Sequence, residues 1–273
     1  MNEEVENAFL PMTSVSSGKG SLVIHDVYCY TNQIVNICFI NIPNNKWVLI
    51  DAGMPKSAEK IIQGAEKQFG KGSWPEAIIL THGHFDHIGS VEALAELWNI
   101  PVYAHQLEFP YLTGEQDYPP GDPSVDGGLV SEMSPLFPNH SIDITEKLNP
   151  LPADGTVPLL SDWKWIHTPG HTPGHISLFR EKDQTLIAGD AFVTVDQESL
   201  YKVMTQKKEI NGPPAYFTMD WDEAKVSVQT LRDLQPELAI TGHGVPMSGN
   251  ELTRELNKLA ENFDTLARPD SKT

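Results

Sequence analysis

The stretch Ala77-Ile78-Ile79-Leu80-Thr81-His82-Gly83-His84-Phe85-Asp86-His87 joins a short apolar run to a dense group of metal-ligating side chains. Residues 77–80 predict a strand, and the glycine and polar residues that follow predict a turn at its end. A strand that ends in a turn can aim several side chains at one spot. Four of the six residues from His82 to His87 are histidine or aspartate. Neutral imidazole and carboxylate are the ligands that borderline cations such as zinc accept. Two possible ligand sets within one turn point to two metals rather than one. Without a metal, the same side chains would crowd polar groups where a core is expected.

Three later segments carry further ligand candidates. These are His171 in Thr168-Pro169-Gly170-His171-Thr172-Pro173-Gly174-His175, Asp190 in Ala188-Gly189-Asp190, and His243 in Thr241-Gly242-His243-Gly244. Each falls just past a predicted strand and is flanked by glycine, which lets the chain bend tightly and leaves room for side chains to converge. Segments so distant in sequence can meet only through the fold.

The elements around these segments alternate in type. Apolar, β-branched runs at 22–30, 34–40 and 47–50 predict a β-meander, with a turn at Pro43-Asn44-Asn45-Lys46. Residues 57–69 predict a helix stopped by Gly70, with Ile61, Ile62, Ala65 and Phe69 on one side. A second helix carries Ile88, Val91, Leu94 and Trp98, and 101–104 predicts a short strand. Strands are predicted at 163–168, 176–180, 185–188 and 238–241. A helix is predicted over 220–234, with Asp220 and Glu223 at capping-box spacing. The stripe Leu252, Leu256, Leu259, Phe263 and Leu266 predicts a last helix packed into the core, too short for a coiled coil.

Residues 1–20 are polar and end in a Gly/Ser-rich stretch, so a flexible N-terminal segment is expected there, with residues 21–273 as one domain. Proline and glycine recur across about 109–138 and periodicity is lost. Compact domains rarely carry so long a loop unless it covers a site, so this insertion is either a pocket wall or an ordinary surface excursion. Tyr111 and Tyr118 in this segment, and Phe192 just past Asp190, are expected to line the substrate pocket.

The chain of 273 residues has ample length for a core, and its 40% apolar content is ordinary for a globular protein. Its net charge of −18 argues against nucleic acid and anionic membrane surfaces as partners, because both call for basic patches. An anionic small-molecule substrate stays open, since bound cations reverse the local field. The two cysteines, Cys29 and Cys38, fit buried thiols better than a disulfide framework. The first seventeen residues lack Lys and Arg, unlike a secretory signal, and no apolar run of about 18 residues occurs. A soluble cytoplasmic protein is expected.

In five places this pattern resembles the metallo-β-lactamase superfamily. The matching segments are Asp51-Ala52-Gly53, Thr81–Gly89, Gly170–His175, Gly189-Asp190 and Gly242-His243-Gly244, in the family's order and across nearly the whole chain. The resemblance implies an αββα sandwich of two mixed sheets flanked by helices, with a two-metal cleft at one edge. It implies that His82, His84 and His171 hold the first metal, that Asp86, His87 and His243 hold the second, and that Asp190 bridges them. Asp51 and His175 are implied to sit behind the ligands and orient them. His25, His105, His140 and His167 are read as structural or surface residues.

The activity implied is hydrolysis of a small ester, lactone or thioester by a hydroxide bridging two divalent ions, with zinc first and iron or manganese as alternatives. Asp86 is the expected catalytic group, orienting the nucleophile and passing its proton to the leaving group. The details set the chain apart from several branches. His87 and Asp190 stand where B1-type lactamases usually carry arginine and cysteine. Glyoxalase II-type thioesterases share all seven ligands but carry a longer C-terminal helical region, and here thirty residues follow His243. Many quorum-signal lactonases place a tyrosine where Val193 stands. Two other readings remain: a mononuclear iron persulfide dioxygenase of the same fold, and a non-catalytic metal-binding module. The fold family alone does not choose among substrates.

Overall fold

The computed structural model describes residues 14–125, 129–195 and 208–269. Two sheets face each other. The first has seven strands in the order β1 to β7: Gly20–Ile24, Val27–Asn32, Val35–Ile42, Lys46–Ile50, Ile78–Ile79, Val102–Ala104 and Leu148–Pro150. Strands β1 to β4 pair antiparallel, and β4 to β7 pair parallel through helical crossovers. The second sheet has six strands, β8 to β13: Thr156–Val157, Leu160–His167, Ile176–Arg180, Thr185–Gly189, Leu238–Thr241 and Met247–Ser248. Among the described residues of this sheet, β11 and β12 form the one parallel pair.

Period-two alternation builds the layers, because successive side chains point to opposite faces of a sheet. On β3 to β5, Ile37, Phe39, Leu49 and Ile78 face outward and, with Leu80 just past β5, pack under the helices Ala58–Phe69 and Val91–Trp98. Their neighbours Cys38, Ile40, Val48, Ile50 and Ile79 face inward and meet Trp163, Ile176, Leu178, Ile187 and Ile240 of the second sheet. The outer face of the second sheet places Phe179, Leu186, Ala188 and Ala239 against the helices Trp221–Asp233 and Gly249–Glu261. The central strands are buried on both faces, so they read as continuous apolar runs. The result is the expected αββα sandwich.

Local expectations hold with a few differences. The apolar run 22–30 divides into β1 and β2, because the polar pair His25-Asp26 forms the hairpin turn between them. Asp220 caps its helix by accepting from the backbone N–H groups of Asp222 and Glu223, each at 2.9 Å. The last stripe divides at Asn262, and Leu266 in the short helix Phe263–Leu266 is 44% exposed, whereas Leu252, Leu256, Leu259 and Phe263 are buried. The break in the helix turns Leu266 off the packed face. Of the segment expected to be loose, residues 1–13 lie outside the described residues. Ser14 and Gly18 are tied to Gln33 and Thr31 by backbone hydrogen bonds. Cys29 and Cys38 are cross-strand partners on β2 and β3, and both are buried free thiols.

The pairing also decides where the ligands fall. Strands β4 and β5 are parallel neighbours, so Asp51 and Thr81 leave the first sheet at the same edge. Strands β11 and β12 are likewise parallel, which sets Asp190 beside Gly242-His243. The two edges are stitched together: Ile176 N–H donates to Thr81 O at 2.9 Å, and Asn36 Nδ2 donates to Thr241 O and Gly244 O at 2.9 and 2.6 Å.

Candidate metal centre

Beyond β5 the chain runs through Thr81 and His82 into extended backbone at His84, then starts the short helix Phe85–Ile88. That turn carries Asp86 and His87 inward together. Asp51 occupies the left-handed region with φ 60°, a conformation sparsely used by non-glycine residues outside special turns. In this position its carboxylate accepts from Thr81 N–H at 2.7 Å and Thr81 Oγ1 at 2.8 Å, and it contacts His87 Nδ1 at 2.8 Å. The tight approach of the later loops explains their glycines. A Cβ on Gly242 would lie 2.0 Å from Asp190 Oδ1, and one on Gly189 would lie 2.6 Å from His175 Nε2.

The seven expected ligands converge. Three overlapping groups place one ligand atom per residue within 4.8 Å of the others: His82, His84 and His171; His82, His87 and Asp190; Asp86, His87 and His243. Asp190 Oδ2 lies 3.3 Å from His243 Nε2, 3.5 Å from His87 Nε2 and 3.6 Å from His171 Nε2. Asp86 Oδ2 lies 3.2 Å from His243 Nε2. His84 Nδ1 and His171 Nε2 face each other at 2.9 Å.

The hydrogen bonds behind the ring engage the outer nitrogens as donors, so each imidazole in its neutral form turns a lone pair inward. Thr81 Oγ1 donates to Asp51 and therefore accepts from His82 Nδ1 at 3.0 Å. His243 Nδ1 donates to Ile34 O at 3.1 Å, and His87 Nδ1 donates to Asp51. Thr218 Oγ1 donates to Pro214 O and so accepts from His171 Nδ1 at 3.3 Å. These partners fix tautomer and ring orientation, as outer hydrogen bonds do around metal-bound imidazoles. His82 Nε2, His87 Nε2 and Asp190 Oδ1 are buried with no hydrogen-bond partner among the described residues. Orphaned buried polar atoms are costly, and a cation, once His87 is neutral, is the partner that would satisfy all three. The donor set therefore fits divalent metal ions.

Electrostatics divides the ring. Burial lowers His84 to about 4 and pushes His82 and His171 well down, with neighbouring imidazoles adding to the effect, so these three are neutral near pH 7. Burial also disfavours the charged forms of His87 and His243, but the Asp190 carboxylate outweighs it, with Asp86 adding to the effect. His243 rises to about 9 and His87 rises well above its ordinary value. Asp190 is held far below the usual carboxylate range despite its burial, because of His243 and His87.

His175 stands behind the ring. Its Nε2 accepts from Asp190 N–H at 2.9 Å, and burial lowers it to about 3. His105 and His167 stack on each other with centroids 4.4 Å apart, while His25 and His140 are exposed beside Asp26 and Asp117. Of the expected pocket residues, Tyr118 lies over His84 with ring centroids 4.6 Å apart, and Tyr111 stacks on the outer side of that ring at 3.7 Å. Phe192 does not fit a pocket role: it is fully buried among Phe179, Ala224 and Val228, because it points to the helix side of the second sheet.

Several contributors were missed. Phe217 lies 4.8 Å from His84 and packs with Phe85 and Phe137 at 6.1 Å from each. Glu108 is completely buried behind the histidine loop. A lone glutamate between Leu107 and Phe109 offers no spacing signal, since burial is a property of the assembled fold. The insertion is not featureless either. It holds the short helices Phe109–Leu112 and Leu129–Met133, and Val130 and Phe137 pack with Phe85 and Phe217.

The sandwich and its edge cluster define a class. The chain belongs to the metallo-β-lactamase superfamily, whose family model matches residues 30–243. Within it, the chain is 50% identical over 264 residues to the probable metallo-hydrolase YflN of Bacillus subtilis (strain 168), covering 96% of this chain and 100% of that one. It is 30% identical over 220 residues to the probable metallo-hydrolase YybB of the same organism, covering 78% of this chain and 86% of that one. Among solved structures, TTHA1623 in a di-iron-bound form matches with a TM-score of 0.55 at 25% identity, over 81% of this chain and 93% of that one.

Proposed function

We propose that the chain is a dinuclear metal-dependent hydrolase of a small ester, lactone or thioester. The observation that carries this reading is the central place of Asp190, whose Oδ2 lies within 3.3 to 3.6 Å of three histidine nitrogens drawn from both halves of the ring. A carboxylate so placed is suited to bridge two ions. His82, His84 and His171 would hold the first, and Asp86, His87 and His243 the second. Divalent ions bound there supply a water of lowered pKa and a charge-stabilising clamp on the electrophile.

The chain's own residues do the rest. Asp86 has two carboxylate oxygens, of which Oδ2 is engaged with His243. The other is available to orient the attacking water and to hand its proton to the departing group. Asp51 and His175 hold His87 and the Asp190 backbone in place. Tyr118, Phe85 and Phe217 form an aromatic wall beside His84 that excludes water from one side of the cleft.

Zinc is the proposed metal, with iron or manganese compatible with the same imidazole and carboxylate donors. The di-iron form of TTHA1623 makes iron the first alternative to test. The substrate is read as a small molecule, because a net charge of −18 disfavours nucleic acid. Among the described residues no helix is long and apolar enough to cross a membrane. Cys29 and Cys38 are buried on β2 and β3 and pack as small apolar side chains, in keeping with the cytoplasmic location proposed.

Metal-quantified protein assayed against lactones, thioesters, simple esters, β-lactams and phosphodiesters tests the reading. Two metal ions per chain with turnover of an ester, lactone or thioester are expected. One iron per chain with oxygen consumption would replace this reading with the dioxygenase. Bound metal with no turnover across the panel would favour a binding module.

A further inference from the structure

Glu108 lies in the 3-10 turn Gln106–Glu108, at the head of the insertion, and is fully buried. Its two oxygens reach two different loops. Oε2 accepts from Gly83 N–H at 2.8 Å, inside the His82-Gly83-His84 turn. Oε1 accepts from Thr172 Oγ1 at 2.8 Å and Gly174 N–H at 2.6 Å, inside the loop that carries His171. The Tyr118 hydroxyl donates to Oε2, and the same Tyr118 ring packs over His84. All four partners are hydrogen-bond donors, so the carboxylate is solvated by the protein itself.

Two glycines make this arrangement possible. A Cβ on Gly83 would lie 2.8 Å from the Tyr118 hydroxyl and 3.2 Å from Glu108 Oε2. A Cβ on Gly174 would lie 2.7 Å from Glu108 Cγ and 2.8 Å from its Oε1. Neither glycine has a positive φ, so each is required for space and not for backbone conformation.

We propose that Glu108 and Tyr118 are positioning residues that clasp the His82–His84 turn to the His171 loop and so preorganise the first metal site. The inference rests on the ligand assignment above. His82 and His84 come from one loop and His171 from the other, and in the described structure Glu108 accepts hydrogen bonds from both loops. An imidazole set held ready binds a cation without the cost of ordering two loops. The second site draws Asp86 and His87 from the helix Phe85–Ile88 and takes its orientation from Asp51 and Ile34 instead.

In Glu108→Gln, the amide NH2 must face either Gly83 N–H or Gly174 N–H, so one loop meets donor against donor. Tyr118→Phe removes one donor and leaves the carboxylate charge unchanged. The test is zinc competition against a chromophoric chelator on the full-length, metal-stripped chain, with His171→Ala identifying which binding step is the first site. Wild type is expected to take two zinc ions; if it takes none, the ligand assignment itself fails. Glu108→Gln is expected to lose about ten- to a hundredfold in first-site affinity, with the second site within about threefold, and Tyr118→Phe a smaller loss of the same selectivity. Cobalt loaded into the first site of either variant is expected to show a changed visible spectrum. Unchanged first-site affinity, or equal loss at both sites, overturns the clasp. If Glu108→Gln does not fold, Tyr118→Phe decides by the same criterion.

Discussion

His87 and Asp51 are buried partners joined at 2.8 Å between Nδ1 and Oδ2, although 36 residues separate them. The same carboxylate holds Thr81 by two further hydrogen bonds, so one side chain fixes both the entry to the histidine turn and the ring at its far end. Asp51→Asn keeps the shape but presents an NH2 donor or a weaker acceptor to His87. Second-site zinc affinity is expected to fall by about ten- to a hundredfold, measured by chelator competition. Affinity within threefold of wild type would remove Asp51 from the support of the centre.

Asp86 is the group expected to move protons. Asp86→Asn is expected to lower kcat by at least about a hundredfold on the best substrate of the panel, with a smaller effect on first-site metal content. Elemental analysis of the same preparation separates the two effects. Turnover within a few-fold of wild type at full metal occupancy would take Asp86 out of the mechanism.

Gly242 is needed for space. A Cβ there would meet Asp190 Oδ1 at 2.0 Å and His87 Cε1 at 2.7 Å. Gly242→Ala is expected to push Asp190 off its central position. The cost expected is about 1–3 kcal/mol in stability by thermal or urea unfolding, together with loss of metal. A stable variant with two bound ions would show that the loop yields more easily than its packing implies.

The divided ring predicts the pH dependence of the metal-free protein. Burial lowers His84 from 6.5 to about 4, so the unfolded chain binds more protons between those values and stability rises with pH across that window. His243 is raised from 6.5 to about 9, with the carboxylates outweighing its burial. The folded chain therefore binds more protons there, and stability falls as pH rises from 6.5 to about 9. A maximum near pH 6.5 is expected in urea titrations of stripped protein. Zinc-loaded protein is expected to lack the alkaline decline, because ligating imidazoles carry no proton at the metal. A flat profile in the stripped protein would contradict the charge division.

Much of this was legible before any coordinates. The alternation that puts Leu49 under the helices and Ile50 between the sheets is a local property of β-structure, and it shows as unbroken apolar runs. Asp220, as a helix cap, is read from a few adjacent residues. Leu266 and Phe192 went otherwise for the same reason: apolar character announces burial but not the direction of burial, which the break at Asn262 and the layer order decide.

The amino-acid order by itself determined the kinds of ligand, their succession along the chain and the glycine turns that carry them, because those are properties of short segments. Only the tertiary structure decided which of them meet. Asp190 comes to face His87, His171 and His243 because parallel pairing brings strand ends to a common edge and the two sheets close on a shared core. Glu108 lies further still from sequence-level reading: its partners Gly83 and Gly174 are 25 and 66 residues away. A buried carboxylate is defined by what surrounds it, and that environment exists only once the layers have packed.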